Sequence, residues 1–283
     1  MRFEKWQALG NDYLIVEQQQ LPFELTAERI RRICTPHFGA GSDGILLLDV
    51  SADEDCVASM RIFNPDGSEA GLSGNGAREA ILYLRRNGWT SVDEFSISTK
   101  AGKITATLSS PTTCTVQMAQ ARLQSEDYPG GAQDGKGMLQ AAGRDWDFQH
   151  VQVGNPQCSI AVASQAALDG LNLPLIGPEL ENHGYFPNRT NVSFYTELAP
   201  GRIRARIFER GVGETSASGT GATGAAVAYV LAGGSSPVSV ILDGGELTVE
   251  VSKDLNINLT GWALPVYSGT LSDKFLEELR AAQ

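Results

Sequence analysis

The chain repeats itself at half its length. Residues 61–77 read RIFNPDGSEAGLSGNGA and residues 206–222 read RIFERGVGETSASGTGA, an offset of 145 residues throughout. Eight of the 17 positions are identical: Arg61/Arg206, Ile62/Ile207, Phe63/Phe208, Glu69/Glu214, Ser73/Ser218, Gly74/Gly219, Gly76/Gly221 and Ala77/Ala222. Unrelated segments would share about one. A second pair, LGN at 9–11 and VGN at 153–155, lies at an offset of 144. In a chain of 283 residues this duplication implies two homologous domains of ordinary size. Their boundary is expected near 115–125, where the sequence turns polar and loses periodicity. The first domain is expected to span 1–118, completed by 264–283, and the second 119–263. The last segment adds a short apolar strand near Ala263–Val266 and an amphipathic helix without a counterpart in the first half.

Each copy of the repeat has the same local grammar. Alternating CVASMRIF and GRIRARIF precede it and predict strands. AREAILYLRRNG and ATGAAVAYVLAGG follow it and predict helices that stop at Gly88 and at Gly233–Gly234. The glycine-rich turn between strand and helix puts Ser73 and Ser218 at the N-cap, where hydroxyls satisfy free backbone N–H groups. A lone serine there is most simply a cap. Two copies followed by SGxGA offer two helix N-termini at which a small anion could meet bare backbone.

Composition narrows the partners. Lys and Arg total 22 against 33 Asp and Glu, so the net charge of −11 repels nucleic-acid backbones and anionic membranes. The opening MRFEKWQALGNDYLIV lacks the apolar core of a secretory signal, and no stretch reaches membrane-spanning length, so a cytoplasmic location is expected. Cys34, Cys56, Cys114 and Cys158 have no metal-site spacing and read as reduced, buried thiols. RIRRIC at 29–34 reads as a solvated helix face with Cys34 inside. His37, His150 and His183 read as surface or capping residues, and Trp6, Trp89, Trp146 and Trp262 as packing anchors.

The ordered motifs ALGNDYLIV, FGAGSDGILLL, FNPDGSEAGLSGNGAR, VGNPQCSIAV, FPNRTNVSF, FERGVGETSASGTGATGAA and DGGELTVEV cover nearly the whole chain. Together they resemble the diaminopimelate epimerases, cofactor-independent amino-acid epimerases. The resemblance implies an α/β fold of two pseudo-symmetric domains, each a mixed sheet curled around a central helix, with the active site in the cleft between them. It implies conversion of LL- to meso-diaminopimelate, a step of lysine biosynthesis, by proton transfer at Cα without metal or pyridoxal. The implied partner is a small amino acid, and the assembly common in the family is a homodimer.

In the family two cysteines act on opposite faces of Cα. Here both positions hold serine, Ser73 and Ser218. A serine hydroxyl is a far weaker acid than a thiol and needs an adjacent base. On the Ser218 side the resemblance supplies one in Glu209. On the Ser73 side the family's GNPH is GNPQ, and the amide of Gln157 cannot accept a full proton. The resemblance also implies that the substrate's α-carboxylate sits at Gly74–Asn75 and Gly219–Thr220. Asn11, Asn64, Asn155, Asn191 and Arg210 would hold the substrate, the last four at its distal end. Gly44 stands where some members have glutamine, and nothing is expected of it. The uneven support of the two serines leaves two alternatives open: a one-sided isomerase or dehydratase of the same superfamily, or an amino-acid-binding paralogue without catalysis.

Overall fold

The computed structural model describes residues 1–282. They form two compact units, Met1–Val116 together with the segment from Gly261 onward, and Gln117–Thr260. Among the described residues, no helix is long and apolar enough to cross a membrane.

In the first unit, Arg2–Ala8 turns back on Asn11–Glu17 as an antiparallel hairpin. Asn11–Glu17 runs parallel to Ile45–Asp49, which is antiparallel to Ala58–Phe63. Ala58–Phe63 runs parallel to Glu94–Thr99, and two further antiparallel pairings continue through Gly102–Ser110 to Thr113–Met118. The second unit repeats this scheme. The hairpin of Arg144–Gln152 and Pro156–Ala161 is followed by parallel Asn191–Ala199, antiparallel Arg202–Glu209 and parallel Val238–Leu242. The registers correspond as well. Leu14 pairs with Ile45 and Ile45 with Phe63, while Cys158 pairs with Val192 and Val192 with Phe208. Phe63 and Phe208 are the repeat's own matched pair, so Leu14 and Cys158 are equivalent positions. One residue earlier, so are Tyr13 and Gln157.

Both faces of each sheet are covered, which is why the strands read as near-continuous apolar runs such as ILLL. In the first unit Leu14, Val16, Ile45, Leu47 and Phe63 pack on one side with Ile30 and Ile33 of the helix Ala27–Cys34. Leu276 and Leu279 of the C-terminal helix Asp273–Ala281 close the same layer. The strand before that helix, Leu264–Thr270, is longer than the sequence suggests and pairs antiparallel with Arg2–Ala8. In the second unit Cys158, Ile160, Val192, Phe194 and Phe208 pack on Leu168, Leu173, Ile176 and Leu180.

The opposite face of each sheet holds a serine-capped helix, Gly74–Arg86 in the first unit and Gly219–Leu231 in the second. Each is buried for its first eleven residues, and the second is touched by six strands of its own unit. Its GTGATGAA start is what such close wrapping demands. A Cβ at Gly221 would lie 2.7 Å from Ile207 Cδ1, and one at Gly224 would lie 2.8 Å from Gln157 Cβ. Helix-interior glycine costs roughly 0.5–1 kcal/mol against alanine, and the approach of sheet to helix offsets it.

Several smaller expectations need correction. His150 is fully buried, neither surface nor cap, because its strand turns it into an aromatic cluster with Tyr128 and Phe186. Trp6 and Trp146 are buried anchors, whereas Trp89 and Trp262 are only partly covered. All four cysteines are free and buried.

Candidate active site

The two N-caps are near copies. Ser73 has φ −136° and ψ 120°, and its Oγ accepts a hydrogen bond from Gly76 N–H at 3.0 Å. Ser218 has φ −138° and ψ 122°, and its Oγ accepts from Gly221 N–H at 3.3 Å. In both, the serine carbonyl accepts the first helical bond, from Ala77 and from Ala222, at 2.9 Å. By helix geometry the two N–H groups next to each cap, those of Gly74–Asn75 and Gly219–Thr220, have no intrahelical acceptor. They point outward with the positive end of the helix dipole and suit a carboxylate.

Around this shared frame the side chains differ. In the second unit Ser218 Oγ donates to Glu209 Oε2 at 2.8 Å, and Thr215 Oγ1 donates to Glu209 Oε1 at 2.7 Å. Burial pushes the Glu209 carboxyl above its ordinary value, and the two hydroxyl donors only partly oppose that rise. Glu209 is therefore a stronger base than an ordinary surface carboxylate, and it already accepts a hydrogen bond from the serine hydroxyl. Asn191 is buried, its Oδ1 accepting from Arg210 N–H at 2.7 Å, while Arg210 Nη1 donates to the Asn188 carbonyl at 2.8 Å. Gln157 is buried on the helix-facing side of its sheet, and its Nε2 donates to Asn155 Oδ1 at 2.6 Å. Its Oε1 has no hydrogen-bond partner among the described residues.

In the first unit Ser73 Oγ meets two donors, Gly76 N–H and a phenol. The Tyr13 hydroxyl donates to Ser73 Oγ at 3.3 Å. Asn75 Nδ2 donates to Asn11 Oδ1 at 3.2 Å, and Asn11 Nδ2 donates to Asp43 Oδ2 at 2.9 Å. Arg78 is fully buried and fixes the far side of this chain, donating to Asn75 Oδ1 at 2.7 Å and to the Gly74 carbonyl at 2.9 Å. Asn64 closes a tight turn, its Nδ2 donating to Ser68 Oγ at 2.9 Å.

The expected residues thus divide by unit. Asn11, Asn64, Ser73, Gly74 and Asn75 belong to the first, and Asn155, Gln157, Asn191, Glu209, Arg210, Ser218, Gly219 and Thr220 to the second. Sequence reasoning missed Tyr13, Thr215, Asp43 and Arg78. For Tyr13 a signal existed: the 144-residue offset of LGN and VGN aligns it with Gln157. Among the described residues no group of three or more His, Cys, Asp or Glu is placed to hold a metal ion.

A sequence profile described as diaminopimelate epimerase matches residues 3–124 and 149–263. The chain belongs to the diaminopimelate epimerase family. It is 37% identical over 282 residues to a diaminopimelate epimerase of a Synechococcus strain, covering 96% of this chain and 99% of that protein. It is 38% identical over 280 residues to diaminopimelate epimerase 2 of a Nostoc strain, covering 96% of each. Among solved structures, a Bacillus anthracis phenazine biosynthesis protein of the PhzF family superposes with a TM-score of 0.68 at 18% identity, over 96% of this chain and 99% of that one. A hydroxyproline epimerase from Agrobacterium vitis, solved with bound trans-4-hydroxy-L-proline, gives 0.68 at 15% identity over 96% and 90%. Those two likenesses show the fold, a mixed α/β architecture built twice.

Proposed function

We propose that this chain is a Cα epimerase of diaminopimelate, interconverting the LL and meso forms in lysine biosynthesis, with no metal or pyridoxal. The observation that carries this reading is the Ser218–Glu209 pair at the N-terminus of a helix, in a chain whose relatives bear the name diaminopimelate epimerase. The α-carboxylate of the substrate is held by backbone N–H groups of Gly74–Asn75 and Gly219–Thr220. Negative charge that develops when Cα loses its proton is stabilised there. Ser218 Oγ takes the Cα proton as its own hydroxyl proton passes to Glu209, so a serine does the work of a thiolate without becoming a free alkoxide. Asn11, Asn64, Asn155, Asn191 and Arg210 bind the zwitterion, the last four at its distal end, and Gln157 orients without accepting a proton. The enzyme works in the cytoplasm.

Incubation with LL-diaminopimelate in deuterium oxide tests the reading. Cα deuteration accompanied by meso product is expected. No exchange and no meso product at high enzyme concentration would sink it. A second reading, proton abstraction from one face only, draws on the uneven serine partners, and exchange with retained configuration would favour it. Thiol alkylation should leave the activity intact, because every cysteine is buried and burial pushes Cys34 up to about 11 and Cys114 up to about 12.

A further inference from the structure

Epimerisation needs a group that returns a proton as well as one that removes it, and Ser73 by itself is a poor source. Its Oγ accepts from Gly76 N–H at 3.0 Å and from the Tyr13 hydroxyl at 3.3 Å. With both acceptor directions used, the serine's own O–H remains free to point elsewhere. Tyr13 is buried, and it sits on the helix-facing side of its sheet at the position equivalent to Gln157.

The room for its ring comes from Gly44. A Cβ on Gly44 would lie 2.7 Å from Tyr13 Cε1 and 2.3 Å from the Phe63 carbonyl oxygen, at a backbone φ of +158°. The equivalent position beside Gln157 is Asn191, which pairs with it in register. The first unit has therefore exchanged an amide pair for a phenol and the space to hold it.

We propose that Tyr13 is the proton reservoir of the first half-site, acting through Ser73. The inference rests on the epimerase reading above. As Ser73 Oγ–H gives its proton to the Cα carbanion, whose electron pair becomes the new C–H bond, the Tyr13 proton passes to Ser73 Oγ and leaves a phenolate. The reverse reaction runs the same transfers backwards. Phenols as a class titrate at about 10, far below alkyl hydroxyls, so the relay ends on a tolerable anion instead of a bare alkoxide. On the other face Glu209 gains one proton from Ser218 as Tyr13 gives one up to Ser73, and exchange with water resets both groups. Tyr13 does not touch the reacting carbon and is a positioning and proton-supplying residue.

The test compares wild type with Tyr13→Phe, which removes one oxygen and keeps the ring, on LL- and on meso-diaminopimelate in deuterium oxide, with thermal melting to check folding. Inversion by Tyr13→Phe is expected to fall about 100-fold. Cα exchange without inversion should survive for whichever stereoisomer presents its Cα–H to Ser218. A merely structural role would lower exchange and inversion together, and that result overturns the proposal. Inversion reduced less than about tenfold also overturns it while leaving the epimerase reading intact. So does a wild type that exchanges without inverting. A wild type that neither exchanges nor inverts removes the epimerase reading itself, and this inference with it. Ser73→Ala supplies an independent check: adding Tyr13→Phe on that background should change nothing further, and an additive loss would show that Tyr13 does not act through Ser73.

Discussion

The two serine half-sites share a backbone to within a few degrees and differ in which way a proton can move. Ser218 gives a hydrogen bond to a carboxylate, whereas Ser73 receives one from a phenol. Duplication preserved the frame, meaning strand, turn, cap and helix start. The side chains that reach the cap from neighbouring strands were free to diverge. A serine can replace a cysteine only if its neighbour carries the charge. One unit offers its serine an acceptor and the other a donor.

The largest effect should separate these roles. Glu209→Gln keeps a hydrogen-bond acceptor but removes the base, and both Cα exchange and inversion are expected to fall by at least about 100-fold; deuterium uptake by mass spectrometry measures it. Wild-type exchange in that variant would break the comparison. Because burial raises Glu209, the acid limb of the wild-type rate profile should lie above the range of ordinary carboxylates. The base form is lost as pH falls through the raised value.

The helices themselves give the next contrast. Gly224 and Glu79 occupy equivalent positions at the 145-residue offset, one pressed against Gln157 and the other buried beside Arg78. Gly224→Ala must displace the Gln157 stem and should destabilise the protein by roughly 1–3 kcal/mol in denaturant unfolding. A neutral result would show the second helix to be less tightly wrapped than its glycines suggest.

The units should also respond to pH in opposite senses. Burial pushes His150 down to about 4 from an ordinary 6.5. Between those values the unfolded chain binds a proton that the native state refuses, so stability falls as pH drops through that window, by up to about 3 kcal/mol. His150→Asn should flatten this slope in melts taken from pH 7 to pH 4. Burial pushes Glu79 well above its ordinary value, so the native state keeps a proton that the unfolded chain releases. That contribution is lost as pH rises. Glu79→Gln should then raise Tm by about 2 °C or more at pH 8 and by less at pH 5, the smallest effect of the set.

Much of this could be read in the chain. The offset of 145 exposed the duplication, and the SGxGA turns placed both caps, because N-cap chemistry and glycine geometry are local. FER marked Glu209 only through the family resemblance. Tyr13 escaped notice although the LGN and VGN offset pointed at it, since an aromatic residue inside an apolar run reads as core. His150 departs from its expected surface position for the converse reason: a titrating residue suggests exposure to water, but its strand faces an aromatic cluster.

What the sequence determined by itself is therefore what lies within a few residues: paired strands, paired caps, buried thiols and a serine at each cap. Only the tertiary structure decided which group stands beside each serine. Ser73 and Tyr13 are 60 residues apart and meet at 3.3 Å because the sheet brings its second strand under the helix start. Proton transfer depends on that separation in space, and a separation between residues on different strands is set by register and packing, which no local pattern states.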